Sequence, residues 1–196
     1  MPKIVDHDAR REEIARAACR VVARRGLDGL TLRDVAAEIG FANGALKPYF
    51  PTKAALSEAA FRYVFGQTER RVAERTRSLR GIEALRVFAV EVLPLDEVRL
   101  DEARVVLPFW QLAIHDPAQA AVNDRSMDDW RTSMTRWLEE AVADGDVPDS
   151  APLEPAVESL LNFMLGAQVT AVLDPGYNGP RQLREQLEFH LQNLMR

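Results

Sequence analysis

Apolar residues recur at helical spacing along almost the whole chain, and no run alternates with the two-residue period of a strand. The first predicted helix covers residues 10–25, with Ile14, Ala17, Ala18, Val21 and Val22 on its apolar face. Arg16, Arg20 and Arg24 form a second row at four-residue spacing, which reads as a solvated face. Gly26 ends this helix. A second helix begins at Thr31, where Thr31-Leu32-Arg33-Asp34 resembles a capping box with Asp in place of Glu. Leu32, Val35, Ala36 and Ile39 form its buried side, and Gly40 stands where a left-handed C-terminal cap belongs. A third, short helix is predicted over residues 43–50, closed by Pro51. Thr52 then serves as N-cap for a helix over 53–77. Longer helices follow at 82–93, 97–115, 117–143, 153–173 and 180–195. They are separated by Pro94, Asp116-Pro117, the run 144–155 and the run 174–180. The predicted fold is all-α: an N-terminal three-helix domain (1–53) joined to a larger helical domain (54–196).

Composition narrows the class. The 196 residues are 47% hydrophobic and 28% charged, as in a globular protein. Cys19 is the one cysteine, so no intrachain disulfide can form and a reducing compartment, the cytoplasm, is expected. The N-terminus is charged from Lys3 onward, unlike a secretory signal. The apolar stretch 159–173 reads as too short and too polar to span a membrane, so no membrane partner is expected. The net charge of −5 conceals an asymmetry: residues 1–80 carry +6 and residues 81–196 carry −11. A basic module on an acidic body points to a polyanion partner for the first part only.

Two short helices joined by a glycine-containing turn have the geometry of a helix-turn-helix, whose second helix lies in the major groove of double-stranded DNA. The segment TLRDVAAEIGFANGALKPYFPTKAAL resembles the DNA-binding domain of the TetR/AcrR family of regulators. The resemblance rests on TLRDVAAEIG, on Gly44 and Leu46, on the Tyr49-Phe50 pair, on Lys53, and on their place after one amphipathic helix. The stretches around Leu107-Pro108-Phe109-Trp110, Asp116-Pro117 and Trp130-Arg131 are similar to the ligand domain of the BetI-like branch. The resemblance implies that Asn43, Gly44, Ala45, Lys47 and Pro48 face the groove, and that Lys47, Tyr49 and Lys53 hold phosphates. Thr31 and Arg33 stand at a phosphate-facing helix end. Phe50 is expected to pack, while the Tyr49 ring can pack with its hydroxyl on a phosphate. Two residues depart from the family. Ala42 replaces the usual serine cap, so that Asn43 caps instead or reads a base. Pro48 either bends or shortens the recognition helix, or offers its ring to a thymine methyl.

In the body, Met127, Trp130, Met134, Trp137, Leu138 and Ala141 line one side of a predicted helix. These residues read either as ordinary core or, as the resemblance implies, as part of a pocket for a small, largely apolar effector. The candidate ligand residues are Phe88, Val106, Trp110, Met127, Trp130, Met134, Phe163, Met164 and Gln168. The acidity of the body and its Trp faces would favour a cation. The resemblance further implies a homodimer through the last two helices, with Leu161, Leu165, Leu187 and Leu191 as candidate interface residues. Such a dimer would span a pseudo-palindrome.

An enzyme is not expected. His7, His115 and His190 lie far apart without metal-ligand spacing, and the sequence has neither a glycine-rich phosphate loop nor a nucleophile elbow. No cofactor and no metal are called for. The chief alternative is a helix-turn-helix regulator without a small-molecule effector, controlled by a protein partner.

Overall fold

The computed structural model describes residues 7–42 and 44–195. Among them the regular structure is entirely helical: α1 (His7–Arg25), α2 (Leu32–Glu38), α3 (Lys53–Thr76), α4 (Gly81–Val92), α5 (Glu97–Ala113), α6 (Pro117–Ala143), α7 (Leu153–Leu173) and α8 (Pro180–Leu194). Eight of the nine predicted helices are therefore α-helices. The exception is the segment before α3, described below.

The chain divides into two compact units. The first comprises residues 1–66 with 104–120, and the second residues 67–103 with 121–196. The first unit is built on the predicted stripe of α1. Ile14, Ala17 and Ala18 are fully buried, and Leu30, Val35, Leu46 and Leu56 close over them. Phe61 and Phe109 stack with centroids 4.0 Å apart. The row Arg20–Arg24 is not simply solvated, because both guanidiniums hold Glu38 of α2.

In the second unit Phe88 meets Trp130 edge-on at 5.4 Å and Trp137 at 5.5 Å, over the fully buried Met134 and Leu138. Glu91 is 2% exposed and draws three guanidiniums: Arg71 at 3.0 Å, Arg75 at 2.9 Å and Arg99 at 3.6 Å. Its Oε1 is in charge contact with Arg75 but has no aligned hydrogen bond. Arg71 also reaches both oxygens of Glu102, at 2.8 and 2.7 Å. A buried carboxylate needs such partners to offset its lost hydration.

At 21 residues, α7 is long and apolar enough to cross a membrane by length and composition, because the helix extends N-terminally beyond the apolar stretch read from the sequence. It is laid against its own unit nevertheless. Val157, Leu160, Leu161 and Met164 are buried, and Glu158 pairs with Arg131 at 2.5 Å. The leucine stripe of α8 also faces inward. Leu161, Leu187 and Leu191 are each no more than 1% exposed within the single chain, so their side chains leave almost no surface for a partner. Within the single chain these three serve as core. A helical stripe looks the same whether it closes a monomer or a dimer.

Candidate nucleic-acid interface

Thr31 is the N-cap of α2, its Oγ1 accepting the Asp34 amide at 3.0 Å. Its hydroxyl donates to the Asp34 carboxylate. The Asp is one methylene shorter than the Glu of a full capping box and takes the hydroxyl instead of the Thr31 amide. That O–H is already engaged inside the head. The other end of α2 closes with paired bonds, Gly40 N to Ala37 O (3.2 Å) and Phe41 N to Ala36 O (2.8 Å). Gly40 has φ +70°, the left-handed conformation this termination requires.

The next segment corrects the predicted helix over 43–50. Residues 44–49 form successive turns, not an α-helix. Ala45 N bonds Ala42 O (3.1 Å), Lys47 N bonds Gly44 O (3.2 Å) and Tyr49 N bonds Leu46 O (2.9 Å). The cause is local. Pro48 has no N–H for the Gly44 carbonyl, and Gly44 sits at φ +91°, outside the helical region. Ala42 offers no capping oxygen. The segment is held from within, because Leu46 is fully buried and Phe50 is 7% exposed, while Gly44, Ala45, Lys47 and Pro48 are exposed. Asn43 lies outside the described residues. Phe50 packs as expected. Tyr49 is half-buried against the same core, with its ring 5.7 Å from that of His7.

The charges around this segment fall into two groups. Arg20 pairs with Glu38 at 2.8 Å, Arg24 pairs with the same carboxylate, and Arg25 approaches Asp34 at 3.4 Å. Hydrogen bonds from Arg20 and Arg24 hold the Glu38 carboxyl below its ordinary range. Arg33 on α2, Lys47 in the turn segment and Lys53 at the start of α3 are exposed, and they have no acidic partner among the described residues. Thr52 caps α3 by accepting the Ala55 amide at 3.1 Å, which fixes where Lys53 begins.

A short, firmly capped helix, a glycine turn and an exposed segment flanked by unpaired cations form a helix-turn-helix head. Residues 14–60 match the family described as bacterial regulatory proteins, tetR family, and residues 81–196 match the BetI-type transcriptional repressor C-terminal family. The chain belongs to the TetR family. It is a helix-turn-helix DNA-binding transcriptional regulator. It is 26% identical over 195 residues to the regulator PksA of Bacillus subtilis, covering 99% of this chain and 94% of that one. It is similar in fold to a transcriptional regulator from Rhodococcus sp. Rha1 (TM-score 0.82, 26% identity, 94% and 95% of the two chains). A Saccharomonospora viridis regulator solved in complex with choline has TM-score 0.85 at 20% identity, over 94% of this chain and 96% of that one.

Within this TetR-family chain the expected effector residues fall in both units. Phe88, Met127, Trp130, Met134, Met164 and Gln168 are buried in the second unit, while Val106 and Trp110 belong to the first. Phe163 turns to the His190 ring at 4.6 Å, and burial pushes the His190 imidazole below its usual range. Gln168 Nε2 donates to Val92 O at 2.6 Å. Sequence reasoning missed Glu69, whose carboxylate accepts the Trp130 indole N–H at 2.9 Å and which burial pushes above its ordinary range. The second unit has a cleft of about 610 Å³ lined by Pro148, Pro152, Pro155, Leu160, Phe189 and His190. The first has one of about 510 Å³ beside Arg25, Pro108 and His115. None of the nine expected ligand residues lines either cleft.

Proposed function

We propose that the chain is a repressor that binds a pseudo-palindromic operator as a dimer and is modulated by a small, largely apolar effector. The observation that carries the DNA reading is the exposed segment Gly44, Ala45, Lys47 and Pro48, in which Lys47, like the exposed Arg33 and Lys53, has no carboxylate partner among the described residues. In this reading Gly44 and Ala45 bring the backbone to the base edges, with Asn43 beside them, and the Pro48 ring meets an apolar base edge. Arg33, Lys47 and Lys53 bind phosphates, joined by the Tyr49 hydroxyl. Thr31 acts indirectly, by capping α2. Residues 1–53 serve as the DNA-binding module and 54–196 as the effector and dimerisation body of a cytoplasmic protein.

The effector would be recognised in the body, where Phe88, Trp130 and Trp137 cluster beside the Glu69 carboxylate. The choline complex of the Saccharomonospora viridis regulator supports a small organic ligand for a chain of this fold. Dimerisation would use α7 and α8 through Leu165, which is half-buried, and through the exposed Leu173 (76%) and Phe189 (64%). Both parts are tested together. Sedimentation of the chain with fragments selected from its own genome should give two chains per bound site. A melting-temperature panel of small organic ligands should contain one that stabilises the chain and changes operator affinity. One chain per site, or no ligand that moves affinity, would contradict the corresponding part.

A further inference from the structure

We propose that the first turn of α1 braces the recognition segment, with Arg11 as the positioning residue that fixes it for DNA. This rests on the reading of residues 44–50 as the DNA-facing segment.

A backbone carbonyl needs a donor. Within the segment Gly44 O takes the Lys47 amide at 3.2 Å and Leu46 O takes the amides of Tyr49 and Phe50, both at 2.9 Å, but Pro48 and Pro51 have no N–H to offer, and Pro51 leaves Lys47 O without its i+4 donor. The Tyr49 carbonyl receives its hydrogen bond from elsewhere: Arg11 Nη1 donates to it at 3.0 Å, across 38 positions of chain. The same guanidinium lies 5.0 Å from the centroid of the Phe50 ring. Arg11 therefore holds the end of the segment by a charge-assisted hydrogen bond and a cation–π contact.

Two neighbours extend the brace. The Arg10 guanidinium lies 4.6 Å from the Phe41 ring centroid, just ahead of the segment, and the His7 ring lies 5.7 Å from Tyr49, at its end. Residues 7, 10 and 11 stand at helical i, i+3, i+4 spacing, so they share one face of α1. They touch the segment's surroundings at both ends. Arg10 has Glu13 as an ion-pair partner at 2.5 Å, whereas Arg11 takes no carboxylate among the described residues. The turns of 44–49 leave a carbonyl that the segment does not satisfy itself, and α1 satisfies it.

The test compares wild type with Arg11→Ala and Arg11→Lys, alone and with Pro48→Ala. Amide hydrogen exchange is read on the free protein, and operator binding is read across a salt series. For Arg11→Ala the expected results are exchange of the Tyr49 and Phe50 amides at least about tenfold faster with the melting temperature little changed, and operator affinity about tenfold weaker. That factor is the scale of one hydrogen bond to a charged group. The salt slope should stay the same, because no phosphate contact is removed. Arg11→Lys should not restore exchange protection, since an ammonium lacks the planar fork that bonds Tyr49 O while covering Phe50. With Pro48→Ala, whose amide can add an i→i−4 bond to Gly44 O beside that of Lys47 and let the segment support itself, the cost of Arg11→Ala should shrink to about threefold or less. Unchanged exchange at 45–50 in Arg11→Ala would overturn the brace. A salt slope lowered by about one would make Arg11 a phosphate contact instead. An equal cost in both backgrounds would also overturn it. If wild type binds no operator, the DNA reading fails, and the exchange result still decides whether Arg11 holds the segment.

Discussion

In the second unit Arg71, Arg75, Arg86, Arg99 and Arg131 each hold a carboxylate, whereas in the first Arg33, Lys47 and Lys53 hold none among the described residues. The same kind of charge is thus structural in one place and available in the other. Glu91 is almost fully buried and would be costly without its guanidiniums, so the arginines around it complete the packing of the body. The cations of the head lie on exposed positions on or next to a segment folded as successive turns, where a polyanion can displace water from them. The first unit also keeps paired arginines, Arg20 and Arg24 on Glu38, and these tie α1 to α2. Charge alone does not mark a DNA-facing residue; on the proposed reading, the cations that matter are those left without a carboxylate on and around the turn segment.

Removing a carboxylate from the body should have the largest effect on stability. Glu91→Ala is expected to lower the unfolding free energy by about 3 kcal/mol, measured by urea denaturation, because it leaves three guanidiniums facing one another. A loss under about 0.5 kcal/mol would mean that the cluster is solvated and the comparison false. Lys47→Ala should act the opposite way. It should leave the denaturation midpoint where it is, weaken operator binding, and lower the salt slope by about one. Unchanged affinity with reduced stability would place Lys47 among the structural cations.

Glu38→Gln should give the smallest change, and it carries a pH signature. The Glu38 carboxyl lies below its ordinary range in the folded chain, so its contribution is present above the unfolded carboxylate pKa and is lost as the pH falls through the folded value. Wild type should therefore be the more stable at neutral pH, with the two proteins converging in acid. A stability difference independent of pH across that window would show that the Arg20–Glu38–Arg24 contact contributes nothing through charge.

Much of the head was legible because its signals are local. The Thr31 cap, the left-handed Gly40 and the Thr52 cap each depend on residues within a few positions, and each is present in the structure. Pro48 was legible as a disturbance, but whether it would bend or abolish the helix depended on Gly44 and on the buried Leu46. Arg11 gave no signal, since its partner is 38 positions away. In the body, periodicity located the helices but not their faces. Leu161, Leu187 and Leu191 have the spacing of an interface and serve as core, and the Met and Trp side of α6 is packed instead of lining either described cleft. Glu69 could have been suspected only as a carboxylate among apolar neighbours, and its partner Trp130 is 61 positions away.

Whether the first unit reads DNA sequence is decided by fluorescence anisotropy of the intact protein on the DNA upstream of its own gene, titrated across a salt series with excess nonspecific competitor. Binding should be tight and survive the competitor, with a linear dependence of its logarithm on the logarithm of salt concentration that flattens when Lys47 is replaced by alanine. Weak binding, equal on any duplex and abolished by modest salt, would contradict the DNA reading and leave the head merely basic.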